Sequence, residues 1–342
     1  MIKNKFLCAA LSCLLAAGSL SACGQKEAAP AADSVSAQSD SSFDESGSAV
    51  NIVTTIFPQY DWVREIVKDS PQNIETTLLL CDGVDLHSYQ PTAEDIMKIA
   101  KCDIFIYVGG ESDSWVEDAL TEDTGRDMTV VNLIDVLGDS AKEEVIDFGM
   151  ESEDEEESEG GEEKEYDEHV WLSLKNAAIL CDAIEKAIAE KDPKNADIYS
   201  ANLASYKEKI SDLDKKYEKA VSGGATDTLL FGDRFPFLYM AEDYGLGYYA
   251  AFAGCSSETE ASFETIVYLA GKVNELGLRS ICTLENSDQK IAQTIRDNTE
   301  TKDQEILAFD SLQSIKSADI ENGVTYLSLM ENNLDVLKKA LG

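Results

Sequence analysis

The chain has 342 residues and is strongly acidic, with 66 Asp and Glu residues against 28 Lys and Arg and a formal net charge of −38 at pH 7. Nucleic-acid binding is excluded as a function class, because phosphate binding requires clustered basic side chains. Acidity of this degree fits either a protein kept soluble outside the cell or one that attracts cations.

The amino-terminal segment is typical of a secretory signal. Lys3 and Lys5 precede an apolar run over 6–18 that is too short to span a bilayer. Residues 20–24, Leu-Ser-Ala-Cys-Gly, resemble a bacterial lipobox, which predicts a signal peptide over 1–22 and lipidation of Cys23. The alternative is an ordinary cleavage site with an incidental cysteine. Residues 23–50 contain hardly any aliphatic side chains, so we expect a disordered tether and an extracytoplasmic protein anchored to the cell membrane.

The next segment, 51–191, alternates strand-like and helix-like runs, as in a parallel sheet flanked by helices. It is predicted to form an α/β lobe, with strands at 53–56, 76–80, 103–108 and 128–131 and helices at 61–68, 92–100 and 115–120.

Within this lobe, residues 151–168 are nearly all Asp, Glu, Ser and Gly. We expect a disordered acidic loop. Its carboxylates could form a weak cation reservoir, because floppy oxygen ligands bind divalent ions loosely. The alternative is an insert that only improves solubility.

The segment 192–222 is predicted to be one long helix, because apolar and aromatic residues recur at helical spacing after Pro193 and the run ends at Gly223. Residues 223–342 repeat the alternation and form a second lobe. Its predicted strands are 228–231, 248–252, 280–284 and 305–309, and its helices 239–244, 262–276, 289–298 and 327–341. The fold class is therefore α/β, with two Rossmann-like lobes containing parallel sheets and joined by one helix.

The cysteines beyond Cys23 are odd in number and show no CxxC spacing, which excludes a zinc knuckle and a thioredoxin motif. They are Cys81, Cys102, Cys181, Cys255 and Cys282. A disulfide between Cys255 and Cys282 is one possibility, and at least one thiol is expected to stay free.

The two histidines, His87 and His169, are the most informative residues. Both lie at predicted strand-to-helix turns beside acidic residues, and neutral imidazole is the commonest transition-metal ligand. The alternative is that each is an ordinary surface or core histidine. If they bind a metal, both must be neutral, so affinity is expected to fall as pH drops through about 6.5.

Several motifs in order resemble the zinc- and manganese-binding solute-binding lipoproteins of bacterial ABC importers. They are residues 53–62, the segment around His87, 107–110 with Trp115, 169–172, and Tyr239 with 244–246. The resemblance covers about Asn51 to Leu341. It implies two lobes joined by a rigid helix, with one metal ion in the cleft between them, and an acidic or histidine-rich loop before the second ligand histidine.

The resemblance also implies the ligands. His87 and His169 match the family's two ligands from the first lobe. The position of the third, a His or Glu, holds Arg234, which cannot coordinate a cation. Asp233 is the nearest substitute, and Asp310 matches the fourth ligand, a carboxylate after a late strand. Glu285 matches a frequent acid at the cleft and is expected to be a reserve ligand or the partner of Arg234; Asp233, Glu285 and Asp310 could also be helix caps or loop acids.

Two imidazoles with carboxylates suit Zn²⁺, and Mn²⁺ is the alternative because it accepts more oxygen ligands. We predict a monomeric receptor that captures this ion and delivers it to the permease of an ABC importer. A metal-dependent hydrolase and a surface adhesin or structural lipoprotein are the competing classes. No catalytic motif such as HExxH or GxSxG occurs, so we expect no enzymatic activity.

Overall fold

A computed structural model describes residues 49–120, 127–145, 150, 165–256 and 260–342. All of them fall within one unit of the chain, Gly47–Gly342. The predicted signal peptide, Cys23, the tether up to residue 48 and positions 151–164 of the acidic loop lie outside the described residues. Within the described ranges, no helix has both the length and the apolar character needed to cross a membrane.

The first lobe contains a four-stranded sheet in the order β2-β1-β3-β4, and every neighbouring pair is parallel. Its elements are β1 (Val50–Thr54), α1 (Phe57–Ile66), β2 (Ile74–Leu78), α2 (Ala93–Ile99), β3 (Ile104–Tyr107), α3 (Trp115–Leu120), β4 (Thr129–Asn132), α4 (Leu133–Leu137) and α5 (Leu174–Lys191).

The second lobe contains a matching parallel sheet in the order β6-β5-β7-β8. A long helix, α6 (Ala196–Ser222), leads into it. The remaining elements are β5 (Thr228–Arg234), α7 (Leu238–Tyr244), β6 (Gly247–Phe252), α8 (Phe263–Leu276), β7 (Ser280–Leu284), α9 (Lys290–Asp297), β8 (Glu305–Phe309), α10 (Ser317–Glu321) and α11 (Tyr326–Leu341).

The strand orders of the two sheets indicate where a ligand site is expected. Each parallel sheet has a topological switch point, between β1 and β3 in the first lobe and between β5 and β7 in the second. In such sheets, ligands bind at the switch point, beyond the carboxyl ends of the strands. In the second lobe, Asp233 and Arg234 end β5, Glu285 follows β7 and Asp310 follows β8. Cys255 lies three residues beyond the end of β6, at the same edge.

Helix α6 joins the lobes through a continuous core. Its buried face consists of Tyr199, Leu203, Tyr206, Ile210, Leu213 and Tyr217. This face packs against α1 and α5 of the first lobe and α11 of the second. The Tyr217 hydroxyl donates to the carbonyl oxygen of Met330 at 2.6 Å. Apolar residues of both lobes belong to one buried cluster, so the predicted two-lobe α/β fold with a linking helix is confirmed.

The elements differ from the sequence prediction at several positions, and helices α1 and α5 show the physical reason. Helix α1 begins at Phe57 instead of 61, because the Gln59 side chain accepts hydrogen bonds from the backbone nitrogens of Thr55 and Ile56, at 2.9 and 3.3 Å, and Pro58 is tolerated in a first turn. Helix α5 is not among the predicted helices. It begins at an N-cap, where the Ser173 side chain accepts a hydrogen bond from the backbone nitrogen of Asn176.

Candidate metal site

His87 lies in a one-turn 3-10 helix, Leu86–Ser88, which follows β2. The side chain of Asp85 caps this turn by accepting a hydrogen bond from the backbone nitrogen of His87 at 3.0 Å. The imidazole Nδ1 contacts Ser112 Oγ at 2.8 Å, and Glu168 Oε2 lies 3.5 Å from the same nitrogen. These contacts orient the ring so that its Nε2 faces His169.

His169 is fully buried and caps the 3-10 helix Val170–Leu172. Asp167 Oδ1 accepts a hydrogen bond from the backbone nitrogen of His169 at 2.8 Å and lies 3.2 Å from its Nδ1. Because a carboxylate beside Nδ1 stabilises the proton there, Nε2 carries the free lone pair. The hydroxyl of Tyr239, from α7 of the second lobe, donates to the backbone oxygen of Asp167 at 2.9 Å and holds this segment against that lobe.

The two imidazoles meet at their Nε2 atoms, which are 3.2 Å apart. Nitrogens bound to one tetrahedral zinc ion, each about 2.0–2.1 Å from it, are separated by about 3.3 Å. Each Nδ1 is engaged by an oxygen partner, an arrangement that orients metal-binding histidines. The histidine pair is therefore arranged to share one cation.

Burial dominates the electrostatics of this pair. It lowers the pKa of His87 to about 3, with a further contribution from the neighbouring His169. Burial also raises the pKa of Glu168 to about 7. Burial therefore favours the neutral form of the His87 ring, so we expect the loss of affinity due to this histidine to begin below pH 6.5.

A third donor atom completes the cluster. Within the described part of the chain, the ligand atoms of His87, His169 and Cys255 all lie within 4.8 Å of one another. A disulfide between Cys255 and Cys282 was one possibility from the sequence, but both thiols are free, so that pairing is wrong. Its position just beyond the end of β6, at the edge of the sheet where the other predicted site residues lie, could have identified Cys255 as a candidate ligand.

The three predicted carboxylate ligands lie outside this cluster and bond to backbone groups. Asp233 accepts hydrogen bonds from the backbone nitrogens of Arg234 and Leu284, at 2.9 and 3.2 Å. Glu285 accepts from the backbone nitrogen and hydroxyl of Ser311, at 2.9 and 2.8 Å. Asp310 accepts from the backbone nitrogen of Leu312 at 2.7 Å. Their role as ligands stays a prediction.

Arg234 forms an ion pair between the lobes. Its Nη2 lies 3.0 Å from Oδ2 of Asp85, the residue that caps the turn of His87. Although burial opposes ionisation, the guanidinium holds the pKa of Asp85 below its usual range. Of the two roles expected of Glu285, that of partner to Arg234 is wrong, because Arg234 pairs with Asp85 and Glu285 bonds to Ser311. Its role as a reserve ligand stays a prediction.

Two cavities flank His87. One, of about 410 Å³, is lined by Asp85, Arg234 and Asp233 among others. The other, of about 670 Å³, is lined by Glu111, Trp115, Glu168 and Cys255 among others. His87 is therefore reached through space bordered mainly by acidic side chains, which favours entry of cations.

This fold and this histidine pair define the class of two-lobe solute-binding proteins that hold a metal ion. The family model for the periplasmic component A of the zinc-uptake complex matches residues 52–340. The chain therefore belongs to the family of zinc-uptake complex component A, and the predicted family is confirmed.

Individual relatives agree with this assignment. The zinc-binding lipoprotein AdcA of Streptococcus pneumoniae is 32% identical over 291 residues, covering 85% of this chain and 55% of AdcA. The high-affinity zinc uptake system protein ZnuA of Bacillus subtilis is 29% identical over 303 residues, covering 88% of this chain and 90% of ZnuA. This chain thus spans about half the length of AdcA, and most of ZnuA.

Solved structures show the same fold. The Zn(II)-bound ZnuA-like domain of Streptococcus pneumoniae AdcA superposes with a TM-score of 0.66 at 28% identity, covering 86% of this chain and 99% of that domain. The metal-dependent lipoprotein YcdH of Bacillus subtilis superposes with a TM-score of 0.69 at 27% identity, and the match covers 86% of this chain and 100% of YcdH.

Removing the charge of Arg234 is expected to strengthen cation binding. The guanidinium lies close enough to His87 to lower its pKa further, so it also repels a divalent cation bound there. We expect Arg234→Gln to raise zinc affinity several-fold at low salt, with a smaller gain at 0.15 M, where the Debye length is about 8 Å. Competitive titration against a chromophoric chelator at both salt levels measures this.

Arg279→Gln is the matched control, because Arg279 precedes the amino end of β7, at the opposite edge of the sheet. It removes the same charge and is expected to leave affinity nearly unchanged. A lower affinity in Arg234→Gln would contradict the prediction and indicate that the ion pair with Asp85 holds His87 in place.

Proposed function

We propose that this protein captures zinc outside the cytoplasm and delivers it to the permease of an ABC importer. The observation that carries the proposal is the 3.2 Å approach of the two Nε2 atoms, with both Nδ1 atoms engaged by oxygen partners. Two neutral imidazoles whose Nε2 atoms lie this close can bind one cation between them. His87 and His169 are the ligands we assign to that cation.

Zinc is the cargo we favour over manganese. Imidazole is a better ligand for zinc, whereas manganese prefers a larger set of oxygen donors. The AdcA and ZnuA relatives described above are both named for zinc. The role is binding and release without a chemical reaction, and we propose that the protein acts as a monomer.

The site of action we propose is the outer face of the cell membrane. The basic residues, short apolar run and Leu-Ser-Ala-Cys-Gly motif support lipidation of Cys23 after removal of residues 1–22. One of the relatives is itself named a lipoprotein. The polar composition of residues 24–48 supports a tether that lets the lobes reach a permease.

A thermal melt with and without zinc tests the function. A ligand that binds only the folded state stabilises it by about 2.7 kcal/mol when its free concentration is 100 times Kd. We therefore expect one equivalent of zinc to raise Tm by several degrees, a chelator to reverse the shift, and manganese at the same concentration to do less. The double variant His87→Ala/His169→Ala is the control and is expected to show no shift.

A wild-type protein that neither binds zinc stoichiometrically nor shifts in Tm would overturn the proposal. That outcome is the one expected of a surface adhesin or structural lipoprotein with incidental histidines. A larger shift with manganese than with zinc would instead identify the manganese receptor.

A further inference from the structure

Cys255 contributes a sulfur atom to the cluster around the two histidines, although it is not among the predicted metal ligands. Its Sγ and the ligand atoms of His87 and His169 lie within 4.8 Å of one another. In a tetrahedral zinc site with Zn–S of about 2.3 Å and Zn–N of about 2.0–2.1 Å, sulfur and nitrogen are about 3.6 Å apart. A closure of at most about 1.2 Å would bring the three atoms to zinc-binding distances.

The chain around Cys255 is built for this close approach. A Cβ placed on Gly254 would lie 2.9 Å from the backbone oxygen of Phe235 and 3.4 Å from the His169 ring, so a larger residue does not fit without displacement. The backbone nitrogen of Cys255 donates to Glu144 Oε1 at 2.9 Å. The segment is therefore held beside His169 and Glu144, both of the first lobe.

The other donors of the second lobe are engaged elsewhere. Arg234 replaces the family's third ligand and is paired with Asp85. Asp233, Glu285 and Asp310 accept hydrogen bonds from the backbone at the ends of their strands. Among the described residues of the second lobe, Cys255 alone contributes an atom to the cluster around the two histidines.

We propose that Cys255 coordinates the captured metal ion as a thiolate, completing a three-residue set with His87 and His169. This inference rests on the proposed function and deepens it. On binding, the S–H bond breaks, the proton passes to water, and a sulfur lone pair forms the metal–sulfur bond; no electron is transferred. Oxygen from water or from a nearby carboxylate fills the fourth position of the tetrahedron.

The thiolate gives the site a preference among metals. Soft sulfur ligands favour zinc, whereas manganese is held by carboxylate, carbonyl and water oxygens. Cys255 is therefore the residue that separates zinc from manganese in this chain. Exchanging it for a carboxylate, Cys255→Asp, is expected to reduce the ratio of zinc affinity to manganese affinity by at least about tenfold, or about 1.4 kcal/mol.

Cobalt(II) is the probe that reports sulfur directly. We expect the wild-type protein, reduced with a phosphine, to bind one Co²⁺ with a thiolate-to-cobalt charge-transfer band in the near ultraviolet, and zinc to abolish the band by displacement. Cys255→Ser is expected to bind cobalt without this band and to bind zinc at least about tenfold more weakly. Cys81→Ser is the matched control, since Cys81 is, among the cysteines from residue 49 onward, the other partly exposed one and lies outside the cluster; its band and affinity should match wild type.

Alkylation of the wild-type chain provides a test that needs no variant. Zinc should slow the reaction of iodoacetamide with Cys255, located by peptide mass spectrometry, and should leave the labelling of Cys81 unchanged. Stoichiometric metal binding without a charge-transfer band and without protection of Cys255 would overturn the thiolate ligand while leaving zinc capture intact. Absence of any stoichiometric metal binding by the wild type would overturn both proposals.

Discussion

Replacing His87 or His169 with alanine is expected to weaken zinc binding by well over tenfold, which corresponds to at least about 1.4 kcal/mol for each lost ligand bond. The two Nε2 atoms face each other at 3.2 Å, and the chain contains no third histidine that could take over either position. Both substitutions also leave an oxygen partner of Nδ1 without its imidazole, Ser112 for His87 and Asp167 for His169.

Competitive titration of each variant against a chromophoric chelator measures the loss, with circular dichroism to establish that the variants are folded. Ser88→Ala is the matched control, because Ser88 occupies the same 3-10 turn as His87, is exposed, and has no ring to offer a metal. It should retain wild-type affinity. Unchanged affinity in both histidine variants would remove the histidine pair from the site and with it the basis of the proposed function.

Truncating Trp171 is expected to cause a large loss of stability. The side chain is fully buried, and its Nε1 donates across the lobes to the backbone oxygen of Ser311 at 2.9 Å. Its own backbone oxygen accepts a hydrogen bond from the Tyr326 hydroxyl at 2.8 Å. Trp171→Ala removes a large apolar volume and orphans the Ser311 carbonyl, so we expect the free energy of unfolding to fall by about 3–5 kcal/mol.

Urea denaturation of the metal-free protein measures this change, and a second variant separates its causes. Trp171→Phe keeps most of the volume and loses only the donor, so its cost should be smaller, about 1–3 kcal/mol for the orphaned acceptor. Phe263→Ala is the control for loss of an aromatic side chain, because Phe263 is 78% exposed. If Trp171→Ala cost no more than Phe263→Ala, the lobes would not depend on this contact.

The order of the elements and the class of fold were predictable from the sequence. Strand-like and helix-like runs are local signals, read from neighbouring residues, and most of the predicted strands and helices appear near their predicted positions. The apolar face of α6 could be predicted for the same reason, because its residues recur at helical spacing along one segment. Helix α5 escaped the prediction although it too has a buried apolar face, from Leu174 to Ile188.

The sequence identified His87 and His169 as two candidate metal ligands, but it did not show that they lie together. Because the chain has no other histidines, His87 and His169 could be singled out from composition and from the acids beside them. That their Nε2 atoms meet depends on the packing of segments 82 residues apart. The low pKa of His87 has the same origin, since burial by distant segments is its main cause.

The residues that surround the histidine pair could not be predicted, because long-range packing brings them there. The ion pair of Arg234 with Asp85 joins residues 149 apart, and Cys255 reaches the histidines from beyond the end of β6. Both contacts depend on which strand neighbours which in each sheet and on how the two lobes pack around α6. Local sequence patterns carry no information on those distances, so the sequence indicated a transition-metal receptor while the folded chain selected the atoms that can hold the ion.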